Sequence, residues 1–212
     1  MEMIHPLVEA YATKYTTPDD ALLQEIQKHT LAHHTHAHML SSPVQGKFLS
    51  FLCTLLQPKY VLEIGTFTGY SAICLSNGLK EGGELYTIEL REEDAATAKQ
   101  NFSKSERNHQ IHLQIGHAKT IIPTLDKTWD LVFIDADKTS YLEYYELIVP
   151  RLAKNGLIIA DNVLFHGQVL EEPISGKNAK AIDAFNAHVL ADERTEQVLL
   201  TVRDGLLLIK KK

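Results

Sequence analysis

Phe133–Lys138 reads FIDADK and Ile158–Asn162 reads IIADN. Each is an apolar run that stops abruptly at acidic or amide side chains. A strand buried in a sheet does not hold a bare carboxylate, so Asp135, Asp161 and Asn162 are expected where two strands emerge from the core. In an open parallel sheet the carboxyl ends of neighbouring strands border the ligand crevice. Two carboxylates and one amide oxygen converging there form a hard, all-oxygen donor set, suited to Mg²⁺, Mn²⁺ or Ca²⁺ rather than zinc. Any one of the three would serve equally as a cap for the helix that follows. The three together favour a metal centre.

The same alternation extends in both directions. YVLEIG, ELYTIEL, IHLQIG, DLVFID and GLIIAD read as strands. Between them, GYSAICLSNGL, REEDAATAKQNF and TSYLEYYELIVPRL read as helices, with a shorter one near Ala118–Ile122. Such alternation requires crossover connections and a parallel sheet covered on both faces. The tail differs: TEQVLLTV and GLLLIKK flank Arg203-Asp204-Gly205, a turn signal for a hairpin. The first third is helical. Thr17-Pro18-Asp19-Asp20 offers a Thr cap with Pro at the first helical position, and Ser42-Pro43-Val44-Gln45 repeats the device as a capping box. The helix after Ser42 carries Phe48, Leu49, Leu52, Leu55 and Leu56 as its expected core face. A length of 212 residues suits one domain and also allows two small ones; without linker, repeat or low-complexity tract, the chain reads as one domain, with N-terminal helices over 1–57 and a Rossmann-like core over 58–212.

Composition excludes several classes. The formal net charge of −6 weighs against nucleic acid as the main partner, because backbone binding needs clustered Lys and Arg. Two cysteines, Cys53 and Cys74, lie in apolar stretches and read as buried thiols of a reducing compartment. The N-terminal stretch lacks the basic start and apolar core of a signal peptide, and no stretch reaches the length of a membrane span. A cytoplasmic protein is expected.

The first strand-to-helix turn, Glu63-Ile64-Gly65-Thr66-Phe67-Thr68-Gly69-Tyr70-Ser71, bears on the ligand class. Gly65 and Gly69 permit a tight turn and close backbone approach, but their spacing is not the dinucleotide fingerprint. Glu89 ends the next strand, where an acidic side chain can accept from both hydroxyls of a ribose.

Together, Met39-Leu40-Ser41-Ser42-Pro43, LEIGTFTGYS, FIDADK with Tyr141, and ADNVL resemble the cation-dependent class I S-adenosylmethionine O-methyltransferases, the family of catechol and caffeoyl-CoA O-methyltransferases and small bacterial relatives. The resemblance runs in order from about Met39 to Gly167. It implies a doubly wound α/β fold with a seven-stranded sheet of order 3-2-1-4-5-7-6, only the seventh strand being antiparallel. It also implies roles for individual residues. Met39 and Ser41, with Glu63, Gly65, Thr66 and Ser71, would surround the methionine end of S-adenosylmethionine. Glu89 would take the ribose and Ala118 the adenine, with Asp135 and Asp137 bordering the cofactor. Asp135, Asp161 and Asn162 match the metal ligands, and Lys138 matches the general base. Phe165 and His166 stand at substrate-contacting positions that carry other residues in plant members, so the acceptor does not transfer with the resemblance. Family members commonly dimerise, and a homodimer is expected.

The implied chemistry is coherent. A vicinal diol on an aromatic ring can chelate the cation, which lowers the pKa of a bound hydroxyl. Lys138 accepts the proton if its own pKa is depressed by the cation and by burial. The main alternative keeps this chemistry and changes the acceptor to a hydroxylated uridine in tRNA; a cofactor-binding module without catalysis is the third reading. His29, His33, His34, His36 and His38 crowd ten residues, but no Glu or Cys completes a zinc constellation, and they read as a polar helix end. Tyr141, Tyr144 and Tyr145 read as core and helix-surface aromatics.

Overall fold

The computed structural model describes residues 4–212. Seven strands, β1 (Tyr60–Ile64), β2 (Glu84–Glu89), β3 (Ile111–Ile115), β4 (Trp129–Ile134), β5 (Leu152–Asp161), β6 (Thr195–Leu200) and β7 (Leu206–Lys211), form one sheet. Its order is 3-2-1-4-5-7-6, and β7 runs antiparallel to both neighbours, as the resemblance implies. The chain divides into two compact units, Leu7–Ala118 and Lys119–Lys212, the latter with the described residues that precede Leu7.

In the first unit, β1 pairs with β2 and β2 with β3, all parallel and in register through Ile64 opposite Ile88 and Glu89 opposite Ile115. The helices are α1 (Pro6–Lys14), α2 (Ala21–His33), α3 (Pro43–Leu56), α4 (Tyr70–Ser76) and α5 (Glu92–Phe102). Helix α2 starts at Ala21, not at Pro18, and its cap is Asp20, which accepts the Leu23 N–H at 2.9 Å. The cause lies in Asp19: its carboxylate is held by the Tyr70 hydroxyl at 2.5 Å and its carbonyl by Gln24 Nε2 at 2.6 Å. Those bonds keep Asp19 outside the helix.

Ser42 caps α3 as expected, accepting from the Gln45 N–H at 3.3 Å. The buried face of α3 differs from the expected one. It consists of Gln45, Gly46, Leu49 and Cys53, whereas Leu55 and Leu56 are exposed. Close approach to the α4 segment selects the small-residue face: a Cβ on Gly46 would lie 2.6 Å from Tyr70 Cε1, and one on Gly78 would lie 2.2 Å from Thr54 N. Both cysteines are free and buried, as read from the sequence.

In the second unit, β4 and β5 are parallel, with Ile134 opposite Ala160. The β6–β7 hairpin turns at Arg203-Asp204-Gly205, where Arg203 (φ 48°) and Gly205 (φ 86°) are left-handed. Helices α6 (Ala118–Ile121), α7 (Tyr141–Ile148) and α8 (Lys177–Ala191) complete the chain. Helix α8 has no counterpart in the sequence reading. It buries Ala179, Ile182, Phe185 and Val189, and the Phe185 ring meets Tyr141 edge-on at 5.5 Å. No helix among the described residues is long and apolar enough to cross a membrane.

Candidate active site

Each unit ends its parallel strands in a polar cluster. In the first unit, Glu63 is fully buried near the end of β1 and accepts from the Thr87 hydroxyl, which also lies 2.5 Å from the Thr66 hydroxyl. Gly65 (φ 99°) opens the turn and donates its N–H to the Ile88 carbonyl at 3.0 Å. Phe67 follows in the left-handed region (φ 50°), a conformation costly for a bulky residue. It is held there by its N–H, which donates to Glu89 Oε2 at 2.8 Å.

Glu89 also accepts from the Leu90 and Arg91 N–H groups, each at 2.9 Å to Oε1. A carboxylate offers about four acceptor positions. Three are taken by main-chain amides, so the side chain is fixed in direction while keeping capacity for an outside donor. Ser71 is buried in the first turn of α4, and Ala118 is buried at the start of α6. Ser41 is buried just after a short 3₁₀ turn, Ala37–Met39, on which Met39 is exposed.

The histidines beside this turn do not converge. His29 and His33 stack at 4.5 Å, and His33 Nδ1 pairs with the His29 carbonyl at 2.9 Å. His34 departs to Asp94, with Nε2 2.8 Å from Oδ1, and sets its ring edge against Phe67 at 4.5 Å. Among the described residues the one three-ligand cluster of His and carboxylates is Glu146, His188 and Asp192. Arg194 already neutralises both carboxylates there, at 2.8 and 2.6 Å.

In the second unit, Asp135 follows β4 directly and Asp161 is the last residue of β5. Asn162 comes next, in a left-handed conformation (φ 57°) that an Asn tolerates. Its N–H donates to Asp161 Oδ1 at 2.7 Å. Lys138 reaches both turns: its Nζ donates to Asp135 Oδ1 at 3.0 Å and to Asn162 Oδ1 at 2.8 Å. It donates a third time, to the Tyr141 hydroxyl at 2.6 Å. The Tyr141 hydroxyl lies 3.0 Å from the Asp161 carbonyl and 3.2 Å from that of Ile134.

Burial pushes the Lys138 pKa down, as the sequence reading expects. The Tyr141 hydroxyl and the Asp135 and Asp161 carboxylates outweigh it and hold the ammonium well above the ordinary lysine range. Asp137 accepts from the Tyr144 hydroxyl at 2.5 Å. Phe165 and His166 lie on a 3₁₀ stretch, Phe165–Leu170, where both are left-handed (φ 44° and 55°) and the His166 imidazole is largely exposed.

Sequence reasoning missed three participants. Tyr141 is core, as expected, but its hydroxyl also holds Lys138. Thr87 has no signal beyond its place opposite Glu63 in the β1–β2 register. Asp204 shows in the sequence only as a turn residue.

The donor set passes a chemical test for a cation. A positively charged nitrogen already bridges Asp135 and Asn162, so their oxygens point at one place that favours positive charge. Asp161 adds a second carboxylate, buried at the end of β5, beside the half-buried Asp135. The set holds no sulfur or imidazole, in keeping with a hard metal.

Residues 13–212 match the family model described as O-methyltransferase. A catechol O-methyltransferase of Niastella koreensis is 37% identical over 187 residues, covering 86% of this chain and 83% of its own. A probable caffeoyl-CoA O-methyltransferase of Dictyostelium discoideum is 37% identical, over 82% of this chain and 78% of its own. The crystal structure of an O-methyltransferase from Bacillus cereus in complex with SAH superposes with a TM-score of 0.90, at 30% identity and 97% coverage of both chains. With its sheet order and its two polar strand ends, the chain belongs to the O-methyltransferase family and is an S-adenosylmethionine-dependent enzyme.

Proposed function

We propose that the protein transfers the methyl group of S-adenosylmethionine to one hydroxyl of a small catechol-type aromatic diol, with a divalent cation, Mg²⁺ foremost, and that it works as one catalytic domain. The observation that carries this reading is the single ammonium, Lys138 Nζ, shared between Asp135 Oδ1 and Asn162 Oδ1. The names of the Niastella koreensis and Dictyostelium discoideum relatives support a phenolic acceptor.

In this reading Met39, Ser41, Glu63, Gly65, Thr66 and Ser71 receive the methionine end of the cofactor, Glu89 the ribose and Ala118 the adenine. Asp137, beside the Tyr144 hydroxyl, borders the ammonium group. Asp135, Asp161 and Asn162 hold the cation, which when bound supplies Lewis acidity toward the acceptor oxygens. The cofactor supplies a methyl already activated as a sulfonium.

The chain itself aligns, excludes water and moves one proton. With a cation at Asp135 and Asn162, the Lys138 ammonium would give up one proton to solvent, and the neutral Nζ would then take the proton of the acceptor hydroxyl. Tyr141 keeps Nζ in place through its hydroxyl. Phe165 and His166 wall the acceptor. Alignment for in-line displacement is the largest contribution left to the protein.

Turnover on a catechol and on unmodified tRNA, each with and without EDTA, tests the reading. EDTA-sensitive methylation of the catechol is expected. EDTA-sensitive methylation of the tRNA would instead establish the nucleic-acid reading, against which the net charge of −6 weighs. We further propose a cytoplasmic homodimer. Exposed Leu7, Val8 and Tyr11 on α1 favour the dimer, and sedimentation at equilibrium reads it out.

A further inference from the structure

We infer that Asp204, at the β6–β7 hairpin turn, is a positioning residue of the acceptor side: it holds the segment after the metal ligands in the shape that presents Phe165 and His166. The inference rests on the proposed role of those two residues.

The segment is costly to hold. Asn162, Phe165 and His166 are all non-glycine residues in the left-handed region, followed by Gly167 at φ 77°. Such a run persists only when the surroundings over-determine it. The hairpin turn supplies the determination. Asp204 Oδ1 accepts the His166 N–H at 2.6 Å. The Asp204 carbonyl accepts the Leu164 N–H at 2.9 Å, and the Gly205 carbonyl accepts the Val163 N–H at 3.2 Å. A Cβ on Gly205 would meet Leu164 Cγ at 2.6 Å, so the turn and the segment are in direct van der Waals contact. From α8, Asn186 Nδ2 secures the Val163 carbonyl at 2.9 Å.

Within this brace Asp204 makes the one side-chain bond to His166 N–H. It is buried, and its second oxygen, Oδ2, has no hydrogen-bond partner and lies 3.6 Å from Nδ1 of the exposed His166 imidazole. A buried carboxylate at a hairpin turn is poorly placed for turn-making alone, because its charge is taken out of water. Its contacts give it a use: both oxygens address His166, one through the main chain and one through the ring. Asp204 therefore sets which way the acceptor wall leans, and through it which of two diol oxygens takes the methyl.

The test uses the full chain and a catechol bearing a substituent that makes its two hydroxyls distinguishable. Asp204→Ala is expected to raise the acceptor KM and to erode the ratio of the two methylated products, each by about tenfold. S-adenosylmethionine affinity by calorimetry should stay within about twofold, since no bond to the cofactor side is touched. Amide exchange over residues 163–167 should quicken. Asp204→Asn keeps an acceptor for the His166 N–H and should retain the product ratio. Asp204→Glu keeps the charge, displaces the acceptor oxygen and should shift the ratio, which covers the case of an unfolded Ala variant.

An unchanged ratio in folded Asp204→Ala or in Asp204→Glu overturns the inference, as does a ratio lost in Asp204→Asn. A wild-type protein that leaves the catechol unmethylated, with exchange still quickened in Asp204→Ala, overturns the acceptor reading and sustains the brace. Unchanged exchange in Asp204→Ala overturns the brace whatever the acceptor.

Discussion

Lys138 Nζ donates to Asn162 Oδ1 at 2.8 Å, so one ammonium ties the turn after β4 to the turn after β5. The same nitrogen bonds Asp135 Oδ1 at 3.0 Å. A divalent cation drawn to these oxygens has to displace that like charge, and the displacement costs affinity. Lys138→Gln removes it. Cation affinity is expected to rise, by roughly three- to thirtyfold, for a relief of about 0.7–2 kcal/mol. Methyl transfer should fall by about a hundredfold or more, because the proton acceptor is gone. Mn²⁺ titration followed by paramagnetic resonance, with turnover in parallel, checks both. A loss of cation affinity would show that the lysine supports the cation rather than competing with it.

Tyr141 reaches Lys138 Nζ at 2.6 Å while its hydroxyl also lies 3.0 Å from the Asp161 carbonyl. Tyr141→Phe leaves the ring packed against Phe185 and deletes these bonds together with the one to the Ile134 carbonyl at 3.2 Å. Stability should drop by about 1–2 kcal/mol, the order expected for buried polar groups losing a partner. The rate constant of a single turnover should fall about tenfold with cofactor affinity unchanged, since Nζ loses one of its three anchors. A wild-type rate in this variant would remove Tyr141 from the mechanism.

Asp135, Asp161 and Asn162 were legible because each interrupts an apolar run, and a parallel strand makes such an interruption conspicuous. Tyr141 was not legible as a partner of Lys138. An aromatic at helical spacing reads as core, and it is core; where its hydroxyl goes is decided by the tertiary fold. Helix α8 escaped for a local reason. Its cap is Gly176, without a side-chain bond, and Gly167, Pro173 and Gly176 before it read as loop. The signal was present further in, at Ala179, Ile182, Phe185 and Val189, spaced as one buried face. Leu55 and Leu56 misled in the opposite sense: apolarity suggested core, but the packing of α3 is decided by Gly46 and Gly78, which admit a closer neighbour.

Asp161→Asn separates the cation from the cofactor. The amide keeps an oxygen for the Asn162 N–H, now 2.7 Å from Oδ1, so the turn should survive where an Ala would free that donor. Losing one of two carboxylates from the donor set should weaken Mg²⁺ binding by at least about tenfold and lower turnover accordingly at limiting metal. Cofactor affinity should be retained. Calorimetry with S-adenosylmethionine and a Mg²⁺ dependence of rate measure the two effects independently. Lost cofactor affinity with an intact Mg²⁺ dependence would sink the assignment.

Glu89 is fixed by three main-chain amides, from Phe67, Leu90 and Arg91. Glu89→Ala removes the carboxylate and also leaves Phe67 without its anchor in the left-handed region. Cofactor affinity should fall by about thirtyfold to several hundredfold, equivalent to about 2–4 kcal/mol for charge-assisted bonds to a ribose. Glu89→Gln should do little better, because its NH₂ end presents a donor to amide donors. Unchanged cofactor binding in both variants would mean that the ribose lies elsewhere.

The segment from Phe165 to Gly176 is the last element open to a direct exchange test. It leaves the Asp161–Asn162 turn, runs through the 3₁₀ stretch Phe165–Leu170 and ends where α8 begins at Lys177. The buried face of α8 begins at Ala179, so an exchange reaching into the helix would disturb packing as well. Grafting residues 165–176 from a relative of different acceptor preference should therefore carry over that preference and its regiochemistry, with cofactor affinity left in place. Because Asp204 bonds the His166 N–H and not its ring alone, the graft should be accepted whatever side chain arrives at 166, provided that residue tolerates the left-handed region. A graft bringing Gly or Asn to 166 should thus fold as well as the parent, and one bringing Val should not. Product ratios and thermal midpoints for the three grafts read this out together. If acceptor preference stayed with the host chain, selection would lie with the N-terminal helices and the histidine-rich stretch Leu31–Leu40.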